Sequence, residues 1–167
     1  TSPSFDWIAH HASVRGDKLA VHDLDSDRKF TYSQMNERTS RLAAALREAF
    51  SIKRGDRVAV LAENDSNFFE VQFACWKLGA VFVPLNWRLS IPELEYIVGD
   101  ADPDVIIHDD AFVDNATKLA ELCQIDHRIS WGSDTQGSAT YEEVLTSHEP
   151  LSGSEKCTHD DTLTIMY

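Results

Sequence analysis

Arg57-Val58-Ala59-Val60-Leu61, Val81-Phe82-Val83-Pro84-Leu85 and Val105-Ile106-Ile107 are three short apolar runs rich in β-branched residues, and a weaker fourth, Arg128-Ile129-Ser130-Trp131, follows them. Their starts at Val58, Val81, Val105 and Arg128 lie 23, 24 and 23 residues apart. That interval holds one strand, one helix and two short loops, the βα step of a parallel sheet. Between the first two runs, Asn67 to Leu78 is apolar nearly all round, which predicts a helix packed on several sides, and Gly79 supplies its stop. Between the second and third, Ser90-Ile91-Pro92-Glu93 reads as a capping box with Pro in the first turn. Leu94, Ile97 and Val98 give that helix a buried edge, and Gly99 is expected to end it.

Working outward toward the N-terminus, Trp7 to Ala12 reads as an amphipathic helix. Two β-like runs, Leu19 to Asp23 and Arg28 to Tyr32, flank a polar hairpin turn at Leu24-Asp25-Ser26-Asp27. Met35, Thr39, Leu42, Leu46 and Ala49 then step by 4, 3, 4 and 3, one buried face of a helix, while Arg38, Arg41, Arg47 and Glu48 fall elsewhere. Thr31 and Gln34 stand at the spacing of a capping box for its start. Toward the C-terminus, the Ser-, Thr-, Gly- and Asp-rich stretch from Gly132 to Thr140 predicts a loop, and Tyr141 to Leu145 a short helix. Thr162 to Tyr167 has the composition of a fifth parallel strand. The expected fold class is α/β, a parallel sheet flanked by helices, within one domain. Residues 1–50 form a helix, hairpin and helix, residues 51–131 the repeating βα units, and residues 132–167 a loop, short helix and strand.

Composition excludes several classes of function. Fifteen Lys and Arg stand against 28 Asp and Glu among 167 residues, a formal charge of −13. A polyanion requires clustered Lys and Arg, so nucleic acid is not an expected partner. At 43% apolar and 26% charged this is an ordinary globular composition, and a chain of this length buries roughly 70% of its unfolded surface. No run of about 18 apolar residues predicts a transmembrane segment. Cys75, Cys123 and Cys157 are far apart and outside any C-x-x-C spacing, so reduced thiols and a cytoplasmic setting are expected. Cys75 falls in the apolar helix and is expected to be inert packing.

No G-x-G-x-x-G, Walker P-loop, G-x-S-x-G or H-E-x-x-H is present, which removes the common signatures for dinucleotides, phosphoryl transfer, ester hydrolysis and zinc proteolysis. His108-Asp109-Asp110 and His159-Asp160-Asp161 contain metal-ligand residue types, but neighbours on an extended chain point to opposite faces. No metal-binding and no catalytic residue is therefore assigned, and His10-His11 reads as surface.

Leu78-Gly79-Ala80-Val81-Phe82-Val83-Pro84-Leu85-Asn86-Trp87-Arg88-Leu89 resembles the LGA-x-x-VPLN-x-RL stretch of acyl-CoA synthetases in the adenylate-forming superfamily. Phe30 to Met35 resembles that family's early TY-x-(Q/E)-(L/M) element. Gly55 to Asn64 is similar to its GDRVA-x-x-x-x-N strand, and Glu93 to Val98 to its EL-x-Y-I-L helix. The elements occur in the family's order over about residues 5 to 167. The resemblance implies the N-terminal portion of the large domain of an adenylate-forming enzyme. Its activity would be ATP-dependent conversion of a small-molecule carboxylate to an acyl adenylate, with release of pyrophosphate, then thiol attack by coenzyme A. ATP, Mg²⁺ and coenzyme A are the implied cofactors of the parent, none expected to bind tightly to residues 1–167 alone, and a homodimer is left open. The Asn86-Trp87-Arg88-Leu89 type is closer to fatty-acyl or aryl-CoA ligases, with a place in fatty acid metabolism, than to peptide adenylation domains, which read Pro-Ile-Asp there.

In that family the strand resembling Leu163 to Tyr167 runs into a Thr-Ser-Gly-Thr-Thr-Gly phosphate loop. Starting at Thr1 and stopping at Tyr167, the sequence is expected to be an N-terminal piece of such an enzyme, inactive alone. The alternative is a stand-alone α/β binding or interaction domain. Arg88 is the one site residue the resemblance carries over, as a contact to the phosphates of coenzyme A. A guanidinium suits that role because it is always charged and forks onto phosphate oxygens. The competing reading is an ion pair with Glu93 or Glu95 at the following helix start.

Overall fold

A computed structural model describes residues 6–132 and 137–167. Helix α1 (Trp7–Arg15) is followed by a hairpin of β1 (Leu19–His22) and β2 (Lys29–Thr31), then α2 (Tyr32–Ala49). The βα series follows as β3 (Arg57–Leu61), α3 (Ser66–Leu78), β4 (Val81–Pro84), α4 (Ile91–Ala101), β5 (Val105–His108), α5 (Val113–Cys123) and β6 (His127–Ser130). A short strand β7 (Ala139–Thr140) and α6 (Tyr141–Thr146) complete it. The five strands of the main sheet lie in the order β4-β3-β5-β6-β7, every neighbouring pair parallel, as the spacing predicted for β3 to β6.

Alternation along the strands builds two cores, one on each face of the sheet. Val58, Val60, Val105 and Ile107 point to the layer of α2, α3 and α6, where they meet Leu42, Leu46, Val71 and Leu145. Ala59, Leu61, Val83 and Ile106 point the other way, onto Leu94 and Val98 of α4 and Leu119 of α5. The chain steps from β3 to β4 through α3 on one face, then returns past β3 to β5 through α4 on the other. Adjacent strands β3 and β5 thus send their following helices to opposite faces, which defines the topological switch point of an open α/β sheet.

The helix ends follow from local chemistry. Thr31 and Gln34 form the expected reciprocal capping box, and the Glu93 carboxylate accepts the Ser90 backbone N–H at 2.8 Å and its hydroxyl at 2.6 Å. Gly79 is left-handed at φ 68°, which favours glycine, and a Cβ there would meet Cys157 Sγ at 3.0 Å and Arg54 Cγ at 3.1 Å, so those side chains would have to shift.

Four expectations are corrected. Gly99 does not end α4, which runs to Ala101 with Asp102 as its left-handed cap; a mid-helix glycine costs only about 1 kcal/mol, whereas Pro103 cannot continue the helix. The expected loop from 132 to 140 contains β7, which pairs with Ile129 and Ser130, while 133–136 fall outside the described residues. Thr162 to Tyr167 is not a full strand. It joins β4 by one parallel bridge, in which Phe82 donates to Leu163 C=O and accepts from Ile165 N–H, both at 3.0 Å. The next donor on that edge would be Pro84, which has no N–H, so the ladder stops. The expected packing of α3 on several sides stands, with Phe69 alone exposed, at 50%, among its residues. Finally, Ala49 is exposed, and Arg38 turns inward from the supposed solvent face.

Candidate functional site

Parallel strands bring all their carboxyl ends to one edge, and in an open sheet that edge carries the chemistry. Here it is formed by Ala62 to Asp65 after β3, Leu85 to Ser90 after β4, and Asp109 to Phe112 after β5. The helices that follow also begin here. Their N-terminal N–H groups occupy several carboxylates that might otherwise act on a ligand. Asp65 accepts from Asn67 N–H at 2.6 Å and Phe68 N–H at 3.3 Å; burial nevertheless pushes its carboxyl up. Asp109 accepts from Ala111 N–H at 2.9 Å and reaches across the switch point to Glu63 N–H at 3.0 Å. The crevice between β3 and β5 is therefore laced by Asp109.

Arg88 lies on the loop after β4. The Asn86 side chain accepts the Arg88 backbone N–H at 3.2 Å, and the Asn86 carbonyl accepts from Leu89 N–H at 3.1 Å, which closes the loop on itself. The Arg88 guanidinium carbon lies 4.2 Å from the Trp87 ring centroid. Trp87 in turn packs against Phe112, centroids 5.7 Å apart, and against the second core. Trp87 is thus locally packed. Among the described residues Arg88 has no ion pair, and Glu93 is held by Ser90, so the competing loop-to-helix pairing is not what the structure displays.

The two His-Asp-Asp runs do not converge. His108 is fully buried at the end of β5, with Nδ1 3.0 Å from the Asp109 carbonyl and Nε2 3.0 Å from Ser138 Oγ. A carbonyl only accepts, so Nδ1 carries the proton and Nε2 accepts from the serine. Burial lowers the His108 pKa, keeping the ring neutral. Asp160 and Asp161 lie at the opposite, amino edge of the sheet, where Asp161 pairs with Arg54. His10 and His11 are half-buried rather than plain surface: the His11 ring packs on Tyr32 at 5.0 Å. Cys75 is fully buried, and burial pushes its thiol up.

Sequence reasoning missed two buried charges beneath this scaffold. Glu70, fully buried on α3, accepts Arg38 Nε at 2.6 Å and Nη2 at 3.1 Å, and the Tyr141 hydroxyl at 2.8 Å. Burial opposes the Arg38 charge, but Glu142 and Glu70 outweigh it and its pKa rises. Lys77, 3% exposed, donates to Asp6 at 2.7 Å and Asn36 at 2.9 Å. The available clue was an acid and a lysine inside an otherwise apolar helix, residues that are almost never fully buried without a partner.

Comparison with known proteins gives the scaffold its context. A family profile described as "AMP-binding enzyme" matches residues 8–167. A feruloyl-CoA synthase of Amycolatopsis sp is 43% identical over 90 residues, 54% of this chain and 18% of that protein. A long-chain-fatty-acid–CoA ligase of Mycobacterium tuberculosis is 31% identical over 162 residues, 96% of this chain and 31% of that one. The inhibitor-bound crystal structure of the N-terminal domain of FACL13 from Mycobacterium tuberculosis superposes with a TM-score of 0.87 at 30% identity, covering 99% of this chain and 41% of that one. The chain thus spans less than a third of the length of these curated relatives.

Proposed function

The chain belongs to the AMP-binding enzyme family, and on that premise we propose that it is the N-terminal part of an ATP-dependent acyl-CoA synthetase. The parent would join a carboxylate to the α-phosphate of ATP, releasing pyrophosphate. The thiol of coenzyme A would then attack the acyl carbon and release AMP. The observation that supports this most is the loop after β4, which holds Arg88 exposed and, among the described residues, without a carboxylate partner, at the carboxyl edge of the sheet. There a guanidinium is placed to grip phosphate oxygens of coenzyme A.

The residues present do not fit ATP or Mg²⁺ in the same way. No Thr-Ser-Gly-Thr-Thr-Gly run occurs in the sequence, and Asp65 and Asp109 are engaged by backbone N–H groups. We therefore assign adenylate formation to segments of the parent outside residues 1–167, and to this chain the sheet scaffold and the Arg88 contact. Relatives act on ferulate, indoleacetate and long-chain fatty acids by name, and we infer an aryl or fatty acid as the substrate class. Three free thiols favour a reducing compartment such as cytoplasm.

The test is to assay the full-length protein that carries this chain for acid-dependent pyrophosphate release and coenzyme A-dependent AMP formation. Ferulate, indoleacetate and palmitate serve as acids. Turnover with an aryl or fatty acid supports the proposal. No turnover with any of them, and no change in melting temperature with ATP or coenzyme A, would favour an α/β binding module instead.

A further inference from the structure

We propose that Trp87 is the positioning residue for Arg88: its indole, braced on Phe112, holds the guanidinium ready to meet phosphate. This rests on the reading of Arg88 as a coenzyme A contact and adds a residue to it. Trp87 is half-buried, packs into the core shared with α4 and α5, and lies 5.7 Å from Phe112. The ring is thereby tied to two loops of the catalytic edge, those after β4 and β5. Arg88 sits 4.2 Å from the indole centroid, a cation–π distance. A guanidinium resting on a ring face keeps its N–H groups in their own plane for oxygen acceptors. The backbone beneath is fixed as well, by the bonds from Arg88 and Leu89 N–H to Asn86.

The physical gain is pre-organisation. An exposed arginine loses rotamer freedom when it grips a ligand, and a side chain already confined loses less on binding. A carboxylate partner would also confine it, but would compete with phosphate for the same donors. An indole confines the charge and leaves the donors available.

The experiment is a double-mutant cycle on the full-length enzyme, using Trp87→Leu, Trp87→Phe and Arg88→Ala. The readouts are the KM for coenzyme A and the acid-dependent ATP–pyrophosphate exchange rate. Trp87→Leu should raise the KM about two- to fivefold, the size of an exposed cation–π contact. Trp87→Phe, which keeps a ring, should recover most of that loss, and exchange should be unaffected by either. In the Arg88→Ala background, Trp87→Leu should change the KM no further. If it raises the KM by the same factor there, or slows exchange as much as thiol transfer, Trp87 is structural and the inference falls while the Arg88 reading survives. If Arg88→Ala alone leaves the KM unchanged, both fall.

Discussion

Replacing Glu70 by Ala should be among the most damaging single changes in this chain, and the structure gives the size of the effect. The Glu70 carboxylate is fully buried and takes three hydrogen bonds, two from Arg38 on α2 and one from Tyr141 on α6. Removing it leaves the Tyr141 hydroxyl without this partner at 0% exposure, a cost of about 1–3 kcal/mol. Arg38 keeps Glu142, at 2.6 Å and 3.1 Å, so its charge is not stranded. Breaking a buried pair costs about 3–5 kcal/mol, and the surviving Glu142 contact puts the expected total near the lower bound, about 3 kcal/mol. For a chain of this size that is a fall of about 6–12 °C in Tm. Glu70→Gln, which keeps the volume and an acceptor, should cost about half as much. Urea unfolding followed by circular dichroism reads the change as a lowered midpoint at unchanged m. If Glu70→Ala shifted the midpoint by less than the equivalent of about 1 kcal/mol, the network would be no tie between α2, α3 and α6, and this reasoning would be refuted.

Lys77→Met removes the donor to Asp6 and Asn36 but fills the space. Because Asp6 is 20% exposed and keeps the Ala9 N–H and the Ser154 hydroxyl, the loss should be about 1–2 kcal/mol in the same assay. Proteolysis should become faster near α1, and an unchanged cleavage pattern would contradict the anchoring role. His108 is buried with a folded pKa below its ordinary 6.5, so the unfolded state binds the proton first. Its contribution is complete above pH 6.5 and is lost as pH falls through the lower folded value; the urea midpoint should drop between pH 7 and 5.5, and His108→Gln should flatten that slope. The 167-residue chain alone should release no pyrophosphate from ATP with any acid, and metal-dependent turnover would mean that the active site has been misplaced.

The parallel sheet was legible because its strands are β-branched runs at even intervals, with the Ser90 to Glu93 capping box at one helix start and Gly79 at another helix's stop. The reduction of the expected strand at 162–167 to one bridge was not legible, because composition alone cannot show that Pro84 removes the donor on which its ladder depends. Nor was β7 visible, since two residues among Ser, Thr and Gly have no periodicity to read. The charges at Glu70, Lys77 and Arg38 escaped for a related reason. Helical spacing says which face a residue occupies, but not that a neighbouring helix with a complementary charge covers that face. Arg88 was singled out through the family resemblance, and the hold of Glu93 on Ser90 was legible as a capping box, whereas the perch of Arg88 on Trp87 required coordinates.

The most direct test of the account separates the two half-reactions in the full-length enzyme carrying Arg88→Ala. A charge-assisted phosphate contact contributes about 1.5–3 kcal/mol, so the KM for coenzyme A should rise by roughly ten- to a hundredfold. Arg88→Lys, keeping the charge but not the fork, should recover part of it, and acid-dependent ATP–pyrophosphate exchange should stay close to wild type. Unchanged coenzyme A kinetics with a lowered melting temperature would contradict the assignment and make Arg88 a structural residue of its loop.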